Sequence, residues 1–118
     1  MQSTPSVFEE ALDEKTHVVG MRGEADFRTA PHFQKELSRT LSDPHKRAVV
    51  DLSEVSFMDS TTLGALLNAH RRVSRRGGRL PIVCTDPGVL KLFAMTALDR
   101  TFEITSSREE ALGLIAAS

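Results

Sequence analysis

A chain of 118 residues with 40% apolar and 26% charged content carries enough hydrophobic side chains for one core and too few for two, which excludes both a disordered polymer and a multidomain chain. Fifteen Lys and Arg against sixteen Asp and Glu leave a net charge of −1, so no global field draws the chain to nucleic acid or to an anionic membrane. The lone cysteine, Cys84, excludes an internal disulfide and a cysteine-based metal cluster. Residues 1–118 therefore read as a single domain suited to a reducing cytoplasm. The N-terminus lacks the basic start and continuous apolar run of a signal peptide, and no later stretch has the length of a membrane helix, so neither export nor membrane insertion is expected.

Val7 to Leu12 and His17 to Arg22, separated by Asp13-Glu14-Lys15-Thr16, read as a hairpin of two strands. A loop is expected at Gly23-Glu24-Ala25-Asp26. Thr29 can then cap a helix with Pro31 in its first turn and with Phe33, Leu37 and Leu41 at helical spacing, ending near Ser42-Asp43-Pro44. Ala48-Val49-Val50-Asp51-Leu52 is a short apolar run rich in β-branched residues, the pattern of a strand buried on both faces of a parallel sheet. From Ser60, the residues Leu63, Leu66, Leu67, His70 and Val73 fall on one helical stripe, which Gly77-Gly78 stops. Leu80 to Cys84 reads as a strand, Asp86-Pro87-Gly88 opens a short helix, Phe102-Glu103-Ile104 reads as a last strand, and a final helix starts near Ser107 with Leu112 and Ile115 inward. The predicted order is β-β-α-β-α-β-α-β-α. Strands separated by helices imply an α/β fold with a mostly parallel central sheet flanked by helices.

In such a sheet, chemistry gathers beyond the carboxyl ends of the strands, where helix N-termini leave backbone N–H groups unsatisfied. Two segments qualify, Gly23 to Asp26 and Ser56 to Thr62. The second places a hydroxyl-rich turn at a helix start, so a phosphate on Ser60 would face the positive end of a helix dipole. On residue types alone, Asp59, Ser60 and Thr61 read either as plain helix-capping residues, the commoner meaning of such a triplet, or as a switch. Glu24 and Asp26 likewise read as turn formers or as part of a binding edge.

Taken together, Gly23-Glu24-Ala25-Asp26 with Ala30-Pro31, Val49-Val50-Asp51-Leu52-Ser53, Phe57-Met58-Asp59-Ser60-Thr61-Thr62-Leu63-Gly64, Gly77-Gly78-Arg79-Leu80 and Leu98-Asp99-Arg100-Thr101-Phe102 resemble the STAS-domain family of anti-sigma factor antagonists, from about His17 to Leu112. The resemblance implies a STAS-like fold and a protein that is a kinase substrate and not an enzyme. It implies that Ser60 is phosphorylated by an anti-sigma factor with a serine-kinase fold, that the unphosphorylated form binds this kinase and frees a sigma factor, and that a phosphatase restores the phosphorylated form. On this reading Met58, Asp59, Ser60, Thr61 and Thr62 form the recognition turn, Glu24 and Asp26 form an adjoining acidic loop, and the chain is a monomer or weak dimer that needs no cofactor, since ATP and magnesium belong to the partner. The resemblance departs at one position. Glycine is common in the family where this chain has Thr62, and a β-branched side chain there is expected to add bulk where the kinase approaches.

The remaining features have plainer meanings. Arg71, Arg72, Arg75, Arg76 and Arg79 suit the negative end of a helix, a reading favoured over a nucleic-acid site because no Trp or Tyr in the chain can stack bases, and a secondary role in docking an acidic partner surface stays open. His17, His32, His45 and His70 lack metal-ligand spacing and read as surface or helix-face residues, so no metal site is expected. Cys84 reads as a small buried hydrophobe. Two other functions stay open from sequence: a receiver-type phosphoacceptor using Asp51, and a scaffold STAS domain in a larger signalling assembly with no regulated serine. The first requires further acidic residues after the first strand to hold magnesium, which the β-β opening does not supply.

Overall fold

The opening hairpin forms as expected, because Asp13 holds the turn: its Oδ1 accepts from the Lys15 and Thr16 amides at 2.8 and 2.7 Å, the local bonding that makes Asp a turn residue. The computed structural model describes residues 5–116. Strands β1 (Ser6–Ala11) and β2 (Thr16–Ala25) are followed by α1 (Ala30–Leu41), β3 (Arg47–Met58), α2 (Ser60–Arg75), β4 (Ile82–Val83), α3 (Pro87–Met95), β5 (Ile104–Thr105) and α4 (Arg108–Ala116). The five strands lie in chain order in one sheet. The β1–β2 pair is antiparallel and every later pair is parallel.

Strand period decides where the helices sit. Val18, Val49 and Val83 point to one face and are covered by Ala111 and Ile115 of α4, whereas their neighbours Val19, Val50 and Ile82 point to the other face, against Phe33 and Leu37 of α1, Leu66 of α2 and Phe93 of α3. Three helices thus cover one face and one covers the other. Phe33, Leu37 and Leu41 are all buried, each contributing roughly 1.5–3 kcal/mol of hydrophobic stabilisation. Leu67, His70 and Leu112, expected inward, are only half-buried; Ala65, Ala69 and Ala111 take the inner positions instead, because small side chains let the helices approach closely.

Two expected loops are largely strand. The β2–β3 ladder continues past Arg22 through the pairs Gly23↔Val55, Glu24↔Phe57 and Ala25↔Met58, so Gly23 to Ala25 and Ser56 to Met58 are held by main-chain bonds. Register shifts fall between Gly20 and Arg22 and between Gly23 and Glu24, and Gly23 has φ +80°, a conformation that glycine adopts without strain. At Gly20 the need is space: a Cβ would stand 2.5 Å from the Asp51 carbonyl oxygen and 2.3 Å from Phe8 Cζ. In the other direction, β4 and β5 are two-residue strands, shorter than the apolar runs 80–84 and 102–104 suggest, and a short 3-10 turn at Leu98–Arg100 was not legible at all.

Candidate functional site

The carboxyl ends of β2 and β3 and the first turn of α2 meet at one edge, joined by the Asp59 amide donating to the Ala25 carbonyl at 3.0 Å. Asp59 caps α2 with extended backbone, and its Oδ1 accepts from the Thr62 amide at 3.1 Å and from the Thr61 hydroxyl at 2.6 Å. Its Oδ2 accepts from the Phe27 amide at 2.8 Å. One carboxylate therefore caps a helix and pins the segment after β2. Partial burial pushes the Asp59 carboxyl up, but the bonds from Thr61, Thr62 and Phe27 outweigh it and hold the group below the usual carboxylate value. Asp59 stays ionised.

Ser60 is the exposed first residue of α2, and its hydroxyl finds no hydrogen-bond partner among the described residues. Thr61 is also exposed, but its hydroxyl is committed to Asp59. Of the two exposed hydroxyls on this turn, that of Ser60 is the available one. The N–H donors facing it are fewer than the helix start suggests, since the Thr62 amide is taken by the Asp59 side chain and the Leu63 amide by the Asp59 carbonyl at 3.2 Å.

Thr62 overturns the expectation of bulk at the surface. Its side chain is fully buried, and its hydroxyl lies 2.9 Å from the Ala25 carbonyl and 3.2 Å from Asp59 Oδ1, so the extra atoms of threonine fill the interior between β2 and α2. Met58 is likewise buried, at 5% exposure, on the core side of β3. Both support the turn from beneath, Thr62 wholly enclosed and Met58 reaching the surface only at a groove wall.

Glu24 and Asp26 also differ from a bare acidic loop. The Arg28 guanidinium meets Asp26 through Nε at 3.1 Å and Nη2 at 2.7 Å, and reaches Glu24 at 3.4 Å, in the forked geometry that suits arginine to carboxylates. Arg28 holds the Asp26 carboxyl below its usual value against partial desolvation. The pair of carboxylates is therefore partly neutralised in place. Thr29 stands at the α1 cap position without a side-chain cap bond; its hydroxyl turns back to the Asp26 main chain instead.

Residue types alone did not flag two apolar groups at this edge. Phe27, two-thirds exposed at 68%, follows directly on the Asp26–Arg28 pair, and Met95 is 75% exposed at the end of α3. Met95 lines a shallow groove of about 370 Å³ with Phe57, Val89 and Leu92. Exposed aromatic and methionine side chains rimmed by charge are the usual material of a protein contact. Phe27 was hidden in a turn that the sequence describes only as polar, and Met95 ends a helix that reads as core.

The other candidates are structural. Asp51 is buried, accepting from the Arg108 Nε at 2.7 Å and from the Ser53 amide at 2.9 Å, and these bonds outweigh burial to keep its carboxyl below the usual value. Facing α4 and paired to an arginine, it is not placed as a phosphoacceptor. Cys84 is buried and its thiol is pushed up to about 11 by desolvation, which makes it inert at neutral pH. His17, expected on the surface, is buried at the start of β2 with Nδ1 2.7 Å from Glu9. Arg76 and Arg79 bond helix-end carbonyls of Leu41 and Leu114. No helix of the described residues is long and apolar enough to cross a membrane.

Comparison with known proteins agrees with this architecture. A family model described as STAS domain matches residues 10–111. The chain is 30% identical over 91 residues to the anti-sigma-B factor antagonist of Bacillus subtilis (strain 168), covering 77% of this chain and 83% of that protein. Its fold is similar to that of an anti-sigma factor antagonist from Mycobacterium paratuberculosis, with a TM-score of 0.86 at 24% identity over 98% of this chain and 99% of the other. It is also similar to that of the Bacillus cell fate determinant SpoIIAA in its phosphorylated form, with a TM-score of 0.73 at 22% identity over 93% and 99%.

Proposed function

This chain belongs to the STAS-domain family, and from that premise we propose that it is an anti-sigma factor antagonist: unphosphorylated, it binds a serine-kinase-type anti-sigma factor in the cytoplasm and frees a sigma factor, and a phosphate on Ser60 blocks that binding. One observation carries the reading. Ser60 is exposed at the first turn of α2, and its hydroxyl is uncommitted while the side chains of Asp59, Thr61 and Thr62 are engaged. A kinase can reach this hydroxyl without unfolding the cap.

Phosphorylation adds a charge of about −1.5 to −2 directly beside the ionised Asp59. Because Asp59 already holds the Thr62 donor, the helix end has fewer N–H groups to offer the phosphate, and much of the new charge faces outward. A partner surface fitted to a neutral hydroxyl then meets like charge in a contact shielded from water, at a cost of about several kcal/mol. Asp59 and Thr61 give the turn its shape, Thr62 and Met58 hold it from below, and the Glu24–Arg28–Asp26 group borders it. Phe27, Phe57 and Met95 supply apolar contact area. The chain is the substrate and the binding partner; catalysis, ATP and magnesium belong to the kinase, a phosphatase reverses the modification, and a monomer or weak dimer suffices.

The test is a binding titration of the wild type, Ser60→Ala and Ser60→Asp against each serine-kinase-type anti-sigma factor encoded in the same genome, followed by incubation with ATP and mapping of the modified residue. The expected result is binding by the first two forms, a loss of about 100-fold or more for Ser60→Asp, and phosphate on Ser60 alone. Indifference of every such protein to all three forms overturns the proposal.

A further inference from the structure

The opposite end of the sheet carries a feature that the switch does not use. Where β2 and β3 begin and where α1 and α2 end, a cavity of about 310 Å³ is lined by the cations Lys15, Lys46, Arg47, Arg76 and Arg79, with no carboxylate side chain on its wall. In a chain whose net charge is −1, this is a local concentration of one sign. Elsewhere Arg22, Arg28, Arg39 and Arg108 each meet a carboxylate, while Arg71, Arg72, Arg75 and Arg100 are exposed and form no ion pair among the described residues. In the cavity only Arg79 meets a carboxylate, that of Glu103; among the described residues Lys15, Lys46, Arg47 and Arg76 form no ion pair.

Two of the guanidinium groups are held in place without being neutralised. Arg47 Nη1 donates to the Ile115 carbonyl at 3.1 Å and Arg76 Nη1 to the Leu41 carbonyl at 2.7 Å. Each anchor uses one N–H and leaves donors on the other nitrogens of the fork. The loops are set just as firmly: the Arg47 amide donates to the Lys15 carbonyl at 2.6 Å, and the nearby Asp13 carboxylate is turned onto the Lys15 and Thr16 amides. Ala48 and Val73, both buried, stand among the lining residues and put low-dielectric surface beside the cations.

We propose that this cavity binds a phosphate chain, either free pyrophosphate or the phosphate tail of a nucleotide. Anchored arginine forks and flanking lysines match several oxyanion groups at once, at little ordering cost. The wall carries no Phe, Tyr or Trp, and its one ring is the small His45 imidazole, so recognition rests chiefly on the phosphates. The site is separate from the Ser60 edge, and its failure or success leaves the antagonist reading untouched.

The test follows backbone amide resonances of the intact protein during titration with pyrophosphate, ADP and adenosine at ~0.15 M salt, where exposed charges are screened. Saturable shifts at Lys15, Lys46 and Gly78 with pyrophosphate and ADP, and none with adenosine, are expected; equal affinity for the first two assigns the free chain, and tighter ADP binding assigns the nucleotide. Arg47→Gln with Arg76→Gln is expected to weaken binding by about tenfold or more, while Arg72→Gln with Arg75→Gln, which removes equal charge from the exposed face of α2, changes it less than about twofold. Should the first pair disturb folding, Lys15→Gln with Lys46→Gln removes the same charge without touching either carbonyl anchor. No saturation below ~10 mM, or equal weakening by the control pair, overturns the proposal.

Discussion

The Thr62 hydroxyl sits 2.9 Å from the Ala25 carbonyl, tying the first turn of α2 to the end of β2 beneath the exposed Ser60. The same carbonyl accepts the Asp59 amide, so one backbone oxygen organises both ends of the turn.

This bond predicts how the chain tolerates the family's usual glycine. Thr62→Gly removes a fully buried side chain and its bond and adds a helix-breaking residue, and it is expected to lower unfolding stability by about 2 kcal/mol. Thr62→Ser is expected to cost less than half of that. Partner affinity in the folded state should stay within about twofold for both, because Thr62 does not face outward. Urea unfolding alongside the binding titration reads both quantities, and tighter binding by Thr62→Gly would restore Thr62 as a surface obstacle.

Acid should weaken the fold in a defined window. The Asp51 and Asp59 carboxyls are held below their ordinary value of 3.8, so the unfolded chain binds protons more readily than the native one. Their stabilisation is fully present above about pH 4 and is lost as the pH falls through the lower native values. Urea midpoints measured between neutral pH and about pH 3 should fall for the wild type and fall less steeply for Asp51→Asn with Asp59→Asn.

Arg108 separates structure from switching. Arg108→Gln strands the buried Asp51 carboxylate and should destabilise the domain by about 3 kcal/mol. Asp51→Asn with Arg108→Gln should recover part of that loss. Neither change is expected to alter where phosphate is incorporated, since Asp51 faces α4, whereas disappearance of an acid-labile phosphate in Asp51→Asn would revive the receiver reading.

Phe27, Phe57 and Met95 offer the reverse case. All three are at least half exposed, so truncation to alanine should change stability by less than about 0.5 kcal/mol. At a contact, an exposed aromatic that becomes buried commonly accounts for about 1–2 kcal/mol or more. Each alanine variant should therefore weaken partner binding by about tenfold at unchanged melting temperature, as measured by calorimetric titration.

Cys84 gives a simple check on burial. With its thiol raised to about 11, the native protein should resist a thiol-reactive dye at neutral pH and react fully only in denaturant.

Much of this protein was legible in its residue order, for reasons that are local. The spacing of Phe33, Leu37 and Leu41 and the run from Ala48 to Leu52 depend only on helix and strand periods, which a sequence carries directly. The Asp59-Ser60-Thr61 turn was visible because capping needs particular short side chains next to a helix start. What stayed hidden was long-range. That β2 continues to Ala25 depends on a partner strand, β3, which supplies bonds to a polar segment with weak intrinsic preference.

Sequence by itself determined the fold class and the hydroxyl-bearing turn, because each follows from composition and from contacts within a few residues. Tertiary structure alone decided which groups of that turn are free. It sends Thr62 inward to Ala25, divides Asp59 between Thr62 and Phe27, covers Glu24 and Asp26 with Arg28, and gathers Lys15, Lys46, Arg47 and Arg76 around one cavity. The Thr62–Ala25 and Asp59–Phe27 contacts join residues more than 30 positions apart, and a hydrogen bond is directional and short. Whether a polar side chain is spent or available is therefore a property of the packed chain and not of the residue.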